Sequence, residues 1–205
     1  MSEFFLELFS EEIPAGLQRN SRNALLESFH KLFEEKQISF KKSSSFSTPN
    51  RLIILFEGLS KEITQKAEEI KGPNVNAPEK AIEGFLRSNQ IDKKDLFIKK
   101  IEKGEFYFFK KPTNKTNTID LLQEYTPLIL DKLQWKKSMI WGNYNLSWAR
   151  PLKSILAVFG NKSLDFKFHH LISSNTTFTD KEFEDKKKIF KNFKSYKDFF
   201  SQSGI

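Results

Sequence analysis

A run of consecutive apolar side chains constrains this chain most: Leu52, Ile53, Ile54, Leu55 and Phe56. Successive side chains of a strand point to opposite faces, so this run predicts a strand that is buried on both faces. Pro49 and Asn50 form a turn signal before it, and Gly58 marks its end. We therefore expect a buried strand over residues 51–58, which is far shorter than the roughly 20 apolar residues that cross a bilayer.

The rest of the pattern mixes strands with amphipathic helices. Alternation predicts a strand over residues 3–9, and Leu25, Phe29, Leu32 and Phe33 share one face of a predicted helix over residues 17–36. Further strands are predicted at residues 43–47, 63–70, 97–101, 105–110, 152–159 and 164–168. Further helices are predicted from residue 78, over residues 117–134 with a kink or restart at Pro127, and around residues 196–200. The predicted fold class is α+β, a mixed and largely antiparallel sheet with several amphipathic helices packed on it.

The character of the chain changes near its end, where lysines such as Lys186, Lys187 and Lys188 alternate with aromatic residues. We therefore expect an α+β domain at residues 1–170. Residues 171–205 are expected to be the truncated start of a following basic, helical segment.

Composition narrows the class of protein. The chain has 205 residues, a formal net charge of +8 and no cysteine. The absence of cysteine excludes disulfides and thiolate metal sites, and Glu3 stands where a signal peptide has a basic region, so a cytoplasmic protein without a membrane partner is expected. A basic surface favours binding to polyanions, although abundant lysine also fits a plain solvated surface.

Side chains that could support catalysis are scattered. The eight glycines form no phosphate-binding loop, and no serine stands in a nucleophile elbow. Glu11, Glu12 and His169 are candidates for a metal-dependent hydrolase, but adjacent acids between a strand and a helix more often interact with the helix dipole. We expect no catalytic, cofactor or metal site in this chain.

The basic residues beside turns and tryptophans are stronger candidates, as RNA contacts: Arg51, Lys71, Lys136, Lys137 and Arg150. Arginine binds phosphate through two hydrogen bonds and stacks on bases, and tryptophan also stacks, so Arg150 is expected to matter more than Lys137. The alternative is that each tryptophan is a core residue with a cation at its rim.

Several motifs occur in an order that resembles one family. They are Ser10-Glu11-Glu12-Ile13-Pro14, Phe46-Ser47-Thr48-Pro49-Asn50-Arg51-Leu52, Lys71-Gly72-Pro73, Lys103-Gly104-Glu105, Trp141-Gly142 and Arg150-Pro151. Together, over about residues 4–168, they resemble the beta subunit of bacterial glycyl-tRNA synthetase. With this resemblance, the stretch of residues 141–152 becomes a family marker whose turns lead into the next strand.

The resemblance implies part of an aminoacyl-tRNA ligase. In this family two alpha and two beta subunits attach glycine to its tRNA through a glycyl-adenylate. The alpha subunit uses ATP with magnesium, while the beta subunit binds tRNA and assembles with the alpha subunit. The family's beta chain is much longer, so this chain is expected to be its N-terminal portion without a complete active site.

Two departures from the family pattern are visible. The segment between Val75 and Lys80 is short, and residues 179–183 replace a Gly-His-Arg-Phe sequence of possible RNA contact. A second hypothesis rests only on the charge and the aromatic residues: a free-standing basic RNA-binding module that has no synthetase role and binds many RNAs in a salt-sensitive way.

Overall fold

The computed structural model describes residues 2–65, 69–101, 104–110, 114–179 and 186–202. Contacts divide the chain into two compact units: unit 1 comprises residues 1–63 and 116–205, and unit 2 comprises residues 64–115. The domain boundary expected at residue 170 stays a prediction.

Short antiparallel strands dominate the described secondary structure. The strands are β1 (Ser2–Ser10), β2 (Lys42–Thr48), β3 (Arg51–Leu59), β4 (Glu62–Gln65), β5 (Glu69–Asn74), β6 (Leu96–Ile101), β7 (Gly104–Lys110), β8 (Asn114–Asn117), β9 (Leu152–Phe159), β10 (Lys162–Ser163), β11 (Lys167–Phe168), β12 (Leu171–Ile172), β13 (Thr176–Phe178) and β14 (Lys187–Ile189). The helices are α1 (Ala15–Glu35), α2 (Glu79–Asn89), α3 (Thr118–Asp131) and α4 (Phe193–Gln202), with a short 3-10 helix at Lys93–Asp95. The predicted α+β class is confirmed.

Unit 1 is built on a five-stranded sheet in the order β10-β9-β1-β3-β2. Strand β1 lies in the centre and pairs antiparallel with both β3 and β9. One face of β1 presents Phe4, Leu6 and Leu8 to α1, whose Phe29 and Phe33 belong to the same core. The helical spacing seen in the sequence thus places the apolar side of α1 on this sheet face.

The opposite face of the same sheet is also covered. Its apolar side chains, which include Phe5, Ile53 and Leu55, pack with Phe190, and with Tyr196 and Phe200 of α4. The backbone amide of Phe193 at the start of α4 donates a 2.7 Å hydrogen bond to Glu3 of β1. These two layers explain why residues 52–56 are apolar at every position.

Unit 2 contains a three-stranded antiparallel sheet in the order β5-β7-β6. The predicted hairpin is present as β6 and β7, with residues 102–103 outside the described part of the chain. Helix α2 packs on one face of this sheet, where Phe85 contacts Phe109 edge-on at 6.0 Å between ring centroids. Strands β4 and β8, each of which spans a boundary between the two units in sequence, pair with each other.

Three expectations from the sequence need correction. The strand predicted over residues 63–70 is divided between β4 and β5, which lie in different sheets. The strand predicted over residues 164–168 is reduced to β11. The Leu164 amide donates to the Ala157 carbonyl oxygen of β9, while the buried Ser173 hydroxyl bonds the backbone of Leu164 and Phe166. Helix α3 continues through Pro127 without a restart, so the alternative of a kink stays a prediction, and the helix ends at Asp131 rather than near residue 134. No helix in the described part of the chain is long and apolar enough to cross a membrane.

Candidate functional site

Arg51 lies inside the protein, on the α4 face of the unit 1 sheet. Its Nη1 donates to Oε1 of Glu7 at 2.9 Å and to Oγ1 of Thr177 at 3.1 Å, and its Nη2 donates to the carbonyl oxygen of Phe178 at 2.6 Å. Its guanidinium carbon lies 4.4 Å from the ring centroid of Phe9. Arg51 is only 4% exposed. The structure therefore corrects the expected RNA contact at Arg51, because its guanidinium is enclosed and already hydrogen bonded.

Glu7 is the partner that this arginine requires. It is fully buried in the middle of β1, and its Oε1 also accepts a hydrogen bond from Thr177. Burial raises the pKa of Glu7, while the charge of Arg51 and the hydrogen bonds of Thr177 and Tyr196 act in the opposite direction. Its Oε2 accepts no hydrogen bond of normal geometry, so we regard Tyr196 as a looser partner than Thr177 or Arg51.

Tyr196 closes this buried network from α4. Burial, followed by the negative charge of Glu7, raises the pKa of Tyr196 above the ordinary tyrosine value of 10.0. The hydroxyl therefore stays protonated and is a donor rather than a base. Glu7, Arg51, Thr177 and Tyr196 join β1, β3, β13 and α4, and this arrangement holds the last part of the chain on the sheet.

A small cavity opens beside the network, with a volume of about 220 Å³. Arg51, Phe46 and Ile53 contribute to its sheet side, and Tyr196 and Phe200 contribute to its α4 side. Pockets for drug-sized ligands measure about 300–1,000 Å³, so this space suits a small group rather than a nucleotide. The wall that carries Arg51 offers no free guanidinium for catalysis.

The stretch around Trp141 forms a loop whose two ends run side by side. Met139 and Trp148 exchange backbone hydrogen bonds of 2.8 and 3.1 Å. Trp148 is buried and meets Trp135 at 4.9 Å between ring centroids. The tryptophans at the ends of the loop are therefore mainly core residues, as the alternative interpretation has it. Leu152 begins β9 directly after the loop, in agreement with the predicted turn into a strand.

Three of the predicted RNA contacts lie at this loop. Lys136 and Lys137 are exposed, while Arg150 is half-buried and donates from Nη1 to the carbonyl oxygen of Ala149 at 2.8 Å. The pairing of Met139 with Trp148 brings the two lysines and the arginine to the same end of the loop. Their contact with RNA stays a prediction.

Lys71 belongs to unit 2 and is exposed. It lies on β5, opposite Phe108 of β7, and its Nζ is 3.7 Å from the ring centroid of Phe106. The loop in unit 1 and Lys71 in unit 2 are thus separate candidates for an RNA contact.

The proposed hydrolase residues occupy ordinary surface positions. Glu11 forms a 2.6 Å ion pair with Lys153, Glu12 is exposed, and His169 contacts Asp131 at 3.2 Å. Within the described ranges, no three histidine, aspartate or glutamate side chains come together as a metal site. Nothing in the arrangement of these residues favours hydrolysis.

Sequence reasoning missed one residue and the position of one surface. The first is Glu7, whose acid in the middle of an apolar strand signals a buried charge in need of a partner. The second is a basic surface on residues 186–202, which contain six lysines and a single acid, Asp198. These lysines are all exposed: Lys186, Lys187, Lys188, Lys191, Lys194 and Lys197. The sequence showed that these lysines are dense. It did not show that they lie on the outer side of the layer that covers the unit 1 sheet.

Comparison with known proteins gives one consistent result. The profile of the family described as "Glycyl-tRNA synthetase beta subunit" matches residues 4–205. A protein of Rickettsia canadensis (strain McKiel) named "Glycine--tRNA ligase beta subunit" is 40% identical over 205 residues, which is 100% of this chain and 31% of the relative.

Two further relatives carry the same name. The protein of Rickettsia bellii (strain OSU 85-389) is 41% identical over 197 residues, which cover 96% of this chain and 30% of the relative. The protein of Rickettsia prowazekii (strain Madrid E) is 38% identical over 205 residues, which cover 100% of this chain and 31% of the relative. The chain thus spans about a third of the length of these relatives. It belongs to the family of glycyl-tRNA synthetase beta subunits.

Proposed function

We propose that this chain works as part of the beta subunit of a glycine–tRNA ligase. In this role it supports the ATP-dependent attachment of glycine to its tRNA by binding tRNA and by assembling with a catalytic alpha subunit. The observation that carries the proposal is the match to the beta-subunit family along residues 4–205.

The proposal includes the partner and the cofactor. The words "beta subunit" in the relatives' names imply a second kind of subunit. We assign ATP and magnesium to that alpha subunit, and we take the assembly to be an alpha2beta2 tetramer in the cytoplasm. This chain contributes surface rather than a complete active site.

Exposed lysines and the half-buried Arg150 supply the proposed contacts with tRNA. Lys136, Lys137 and Arg150 gather at one loop of unit 1, and Lys71 lies on unit 2. The lysines of residues 186–197 add a basic surface to unit 1. Exposed ammonium and guanidinium groups release counterions from RNA phosphates when they bind, so such surfaces give strongly salt-dependent affinity.

A charging assay tests the function directly. Purified alpha subunit is combined with full-length beta subunit that contains this sequence, and the attachment of radiolabelled glycine to tRNA is measured. We expect charging only when both subunits are present, and we expect glycyl-adenylate formation to depend on the alpha subunit. Equal charging with a beta subunit that lacks residues 1–205 would refute the proposed role of this segment.

Variants at the loop test the tRNA contact within the same assay. Arg150→Ala is expected to raise the KM for tRNA more than Lys137→Ala does, with kcat less affected, since arginine makes paired phosphate contacts that are harder to replace. Lys162→Gln is the control, because it removes one exposed positive charge elsewhere in unit 1. A KM that rises equally in all three variants would show a general charge effect instead of a contact at the loop.

The lysine-rich surface also favours the second candidate, a basic RNA-binding module that acts without an alpha subunit. That function predicts similar affinity for unrelated RNAs and no retention on immobilised alpha subunit. Specific charging of glycine tRNA in the reconstituted complex would exclude it as the main role.

A further inference from the structure

One face of the unit 2 sheet carries aromatic rings and cations together. The strand register places Phe97 opposite Phe108, and Lys99 opposite Phe106. Lys71 lies opposite Phe108 from the other side. Because directly opposed residues project from the same face, these side chains share one surface, which we call the aromatic face.

Helix α2 packs on part of the other face of this sheet. Phe85 of α2 contacts Phe109, which lies one residue from Phe108 and therefore projects oppositely. A methyl group placed on Gly72 would also point at Phe85, at 2.8 Å from its ring. The neighbouring residue Lys71 consequently projects from the aromatic face. The two faces of one small sheet thus have different chemistry.

Two rings of the aromatic face are accessible to a ligand. Phe97 is 37% exposed and stacks on Phe108 with an interplanar angle of 28° and a centroid distance of 6.1 Å. Phe106 is half-buried, on the neighbouring strand and diagonal to Phe97. Diagonal neighbours in a sheet lie about 7–8 Å apart, so two bases can be held by adjacent rings of one platform.

The charge of this face complements a phosphate backbone. Lys71, Lys99 and Lys110 carry positive charge, and Glu69 is their acidic neighbour. Glu69 pairs with Lys99 at 2.7 Å, which leaves Lys71 and Lys110 as net positive groups among these four. Lys71 holds its ammonium 3.7 Å from the Phe106 centroid, where it can move to a phosphate when a base takes the ring.

We propose that the aromatic face binds a stretch of unpaired RNA nucleotides, with bases stacked on Phe97 and Phe106 and phosphates contacted by Lys71 and Lys110. Stacking on aromatic rings beside cations is how proteins hold single-stranded nucleic acid with little sequence preference. A duplex has its bases paired and stacked inside, so it cannot use these rings. The inference deepens the proposed tRNA-binding function, on which it rests, because it names the part of an RNA that unit 2 recognises.

The test uses the 205-residue chain and a fluorescent 12-nucleotide oligouridylate, with a 12-base-pair RNA duplex for comparison. Fluorescence anisotropy measures affinity for both. Phe97→Leu and Phe106→Leu keep an apolar side chain but remove the ring, and each is expected to weaken oligouridylate binding by about 5- to 150-fold. Duplex binding should change little, and Phe97→Tyr should restore binding because it restores a ring.

Matched controls come from the other face of the same strand. Ile98 is 55% exposed and Lys100 is exposed, and both alternate with the residues under test. Ile98→Ala is expected to leave oligouridylate affinity unchanged. Lys71→Gln should lower the slope of log affinity against log salt by about 0.7, the value for one phosphate contact of a single strand, while Lys100→Gln should not.

Each outcome decides a separate question. Wild-type chain that does not bind oligouridylate, Leu variants that bind like wild type, or an equal loss in Ile98→Ala overturns the inference. Phe97→Leu that reduces retention on alpha subunit without changing RNA affinity also overturns it, since the face then meets protein. Failure of glycine charging by the wild-type complex refutes the proposed function instead, and it leaves the binding result on oligouridylate intact.

Discussion

At the scale of single residues, the buried pair of Glu7 and Arg51 gives the clearest prediction about stability. Removing one member of a buried ion pair leaves the other charge without its partner, which costs about 3–5 kcal/mol. We therefore expect Arg51→Ala to lower the free energy of unfolding by about that amount, as measured by urea denaturation of the chain. Arg150→Ala is the matched control, and it should cost less because Arg150 is only half-buried.

A double substitution separates the charge penalty from lost packing. Replacing a buried ion pair by apolar residues of similar volume is often nearly neutral. Glu7→Leu combined with Arg51→Met should therefore recover most of the stability that Arg51→Ala loses. A double variant as unstable as Arg51→Ala would show that the pair contributes through its hydrogen bonds to Thr177 and Phe178 rather than by mutual neutralisation.

His170 gives the loop of residues 135–150 a dependence on pH. Its ring stacks on Tyr144 with 3.6 Å between centroids. Burial, followed by the charge of His169, lowers the pKa of His170 below the ordinary value of 6.5. The folded state thus favours the neutral ring, so the stability that it contributes is present above about pH 6.5 and is lost as pH falls.

We expect His170→Phe, which keeps a stacking ring but does not titrate, to lose less stability than wild type when pH falls. Urea denaturation at about pH 7 and about pH 5 measures the difference, and those conditions bracket the ordinary histidine range. His169 and Asp131 are present in both proteins, so their ion pair is common to both stability curves. Parallel stability curves for the two proteins would contradict the assignment to His170.

At the scale of elements, the packing of α2 against its sheet depends on the absence of a side chain at Gly72. An added methyl carbon there would lie 2.8 Å from Cε1 of Phe85 and 3.1 Å from the carbonyl oxygen of Tyr107. Both distances are shorter than ordinary contacts, so Gly72→Ala must shift the Phe85 ring, the helix that carries it or the backbone of the sheet. We expect a loss of about 1–3 kcal/mol in the stability of unit 2, the usual cost of overpacking.

Gly84→Ala is a matched control that is expected to change the stability of unit 2 in the opposite direction. It lies within α2, and an added methyl carbon would have no neighbour within 4 Å. Alanine is favoured over glycine inside a helix by about 1 kcal/mol, so Gly84→Ala should stabilise unit 2. Far-UV circular dichroism during urea unfolding measures both variants. Equal effects of the two substitutions would show that helix propensity, not the close approach to Phe85, decides the outcome.

The longest helix and strand could be predicted because the pattern that indicates each of them lies within its own residues. The apolar positions of α1 and the run in β3 each fix a buried face through their own spacing. Strands β11 to β14 have two or three residues each and owe their conformation to distant partners. Arg51 was misassigned for the same reason, because its partners Glu7 and Thr177 are remote in sequence and only the strand register brings them together.

At the scale of the whole molecule, unit 2 is inserted between two parts of unit 1. The chain leaves unit 1 after Ile63 and returns at Thr116. Periodicity describes faces of single elements, so it gives no signal that β1 and β9 pair across an insertion. The sequence also does not show which side of a sheet is exposed. Lys71 could therefore be predicted as an RNA contact from its charge, but the neighbouring ring of Phe106 could not.

The two units differ in how much apolar surface they bury. In unit 1, β1 lies between two strands and has apolar layers on both faces. Among the described residues of unit 2, the buried apolar side chains are Ile82, Phe108 and Phe109, and each of them keeps 5–8% of its surface exposed. Small units bury a smaller share of their surface and are marginally stable, so unit 2 should open more readily than unit 1.

Hydrogen exchange followed by mass spectrometry checks this difference on the intact chain. We expect amides of β1 and β3 to exchange slowest, near the limit set by global unfolding, and those of β5, β6 and β7 to exchange through a local opening of lower free energy. Gly72→Ala should accelerate exchange in unit 2 while leaving β1 unchanged, and Arg51→Ala should accelerate exchange in unit 1. Uniform acceleration of both units by either substitution would show that the chain unfolds as one cooperative body, in which case stacking of RNA on the aromatic face would also raise the protection of β1.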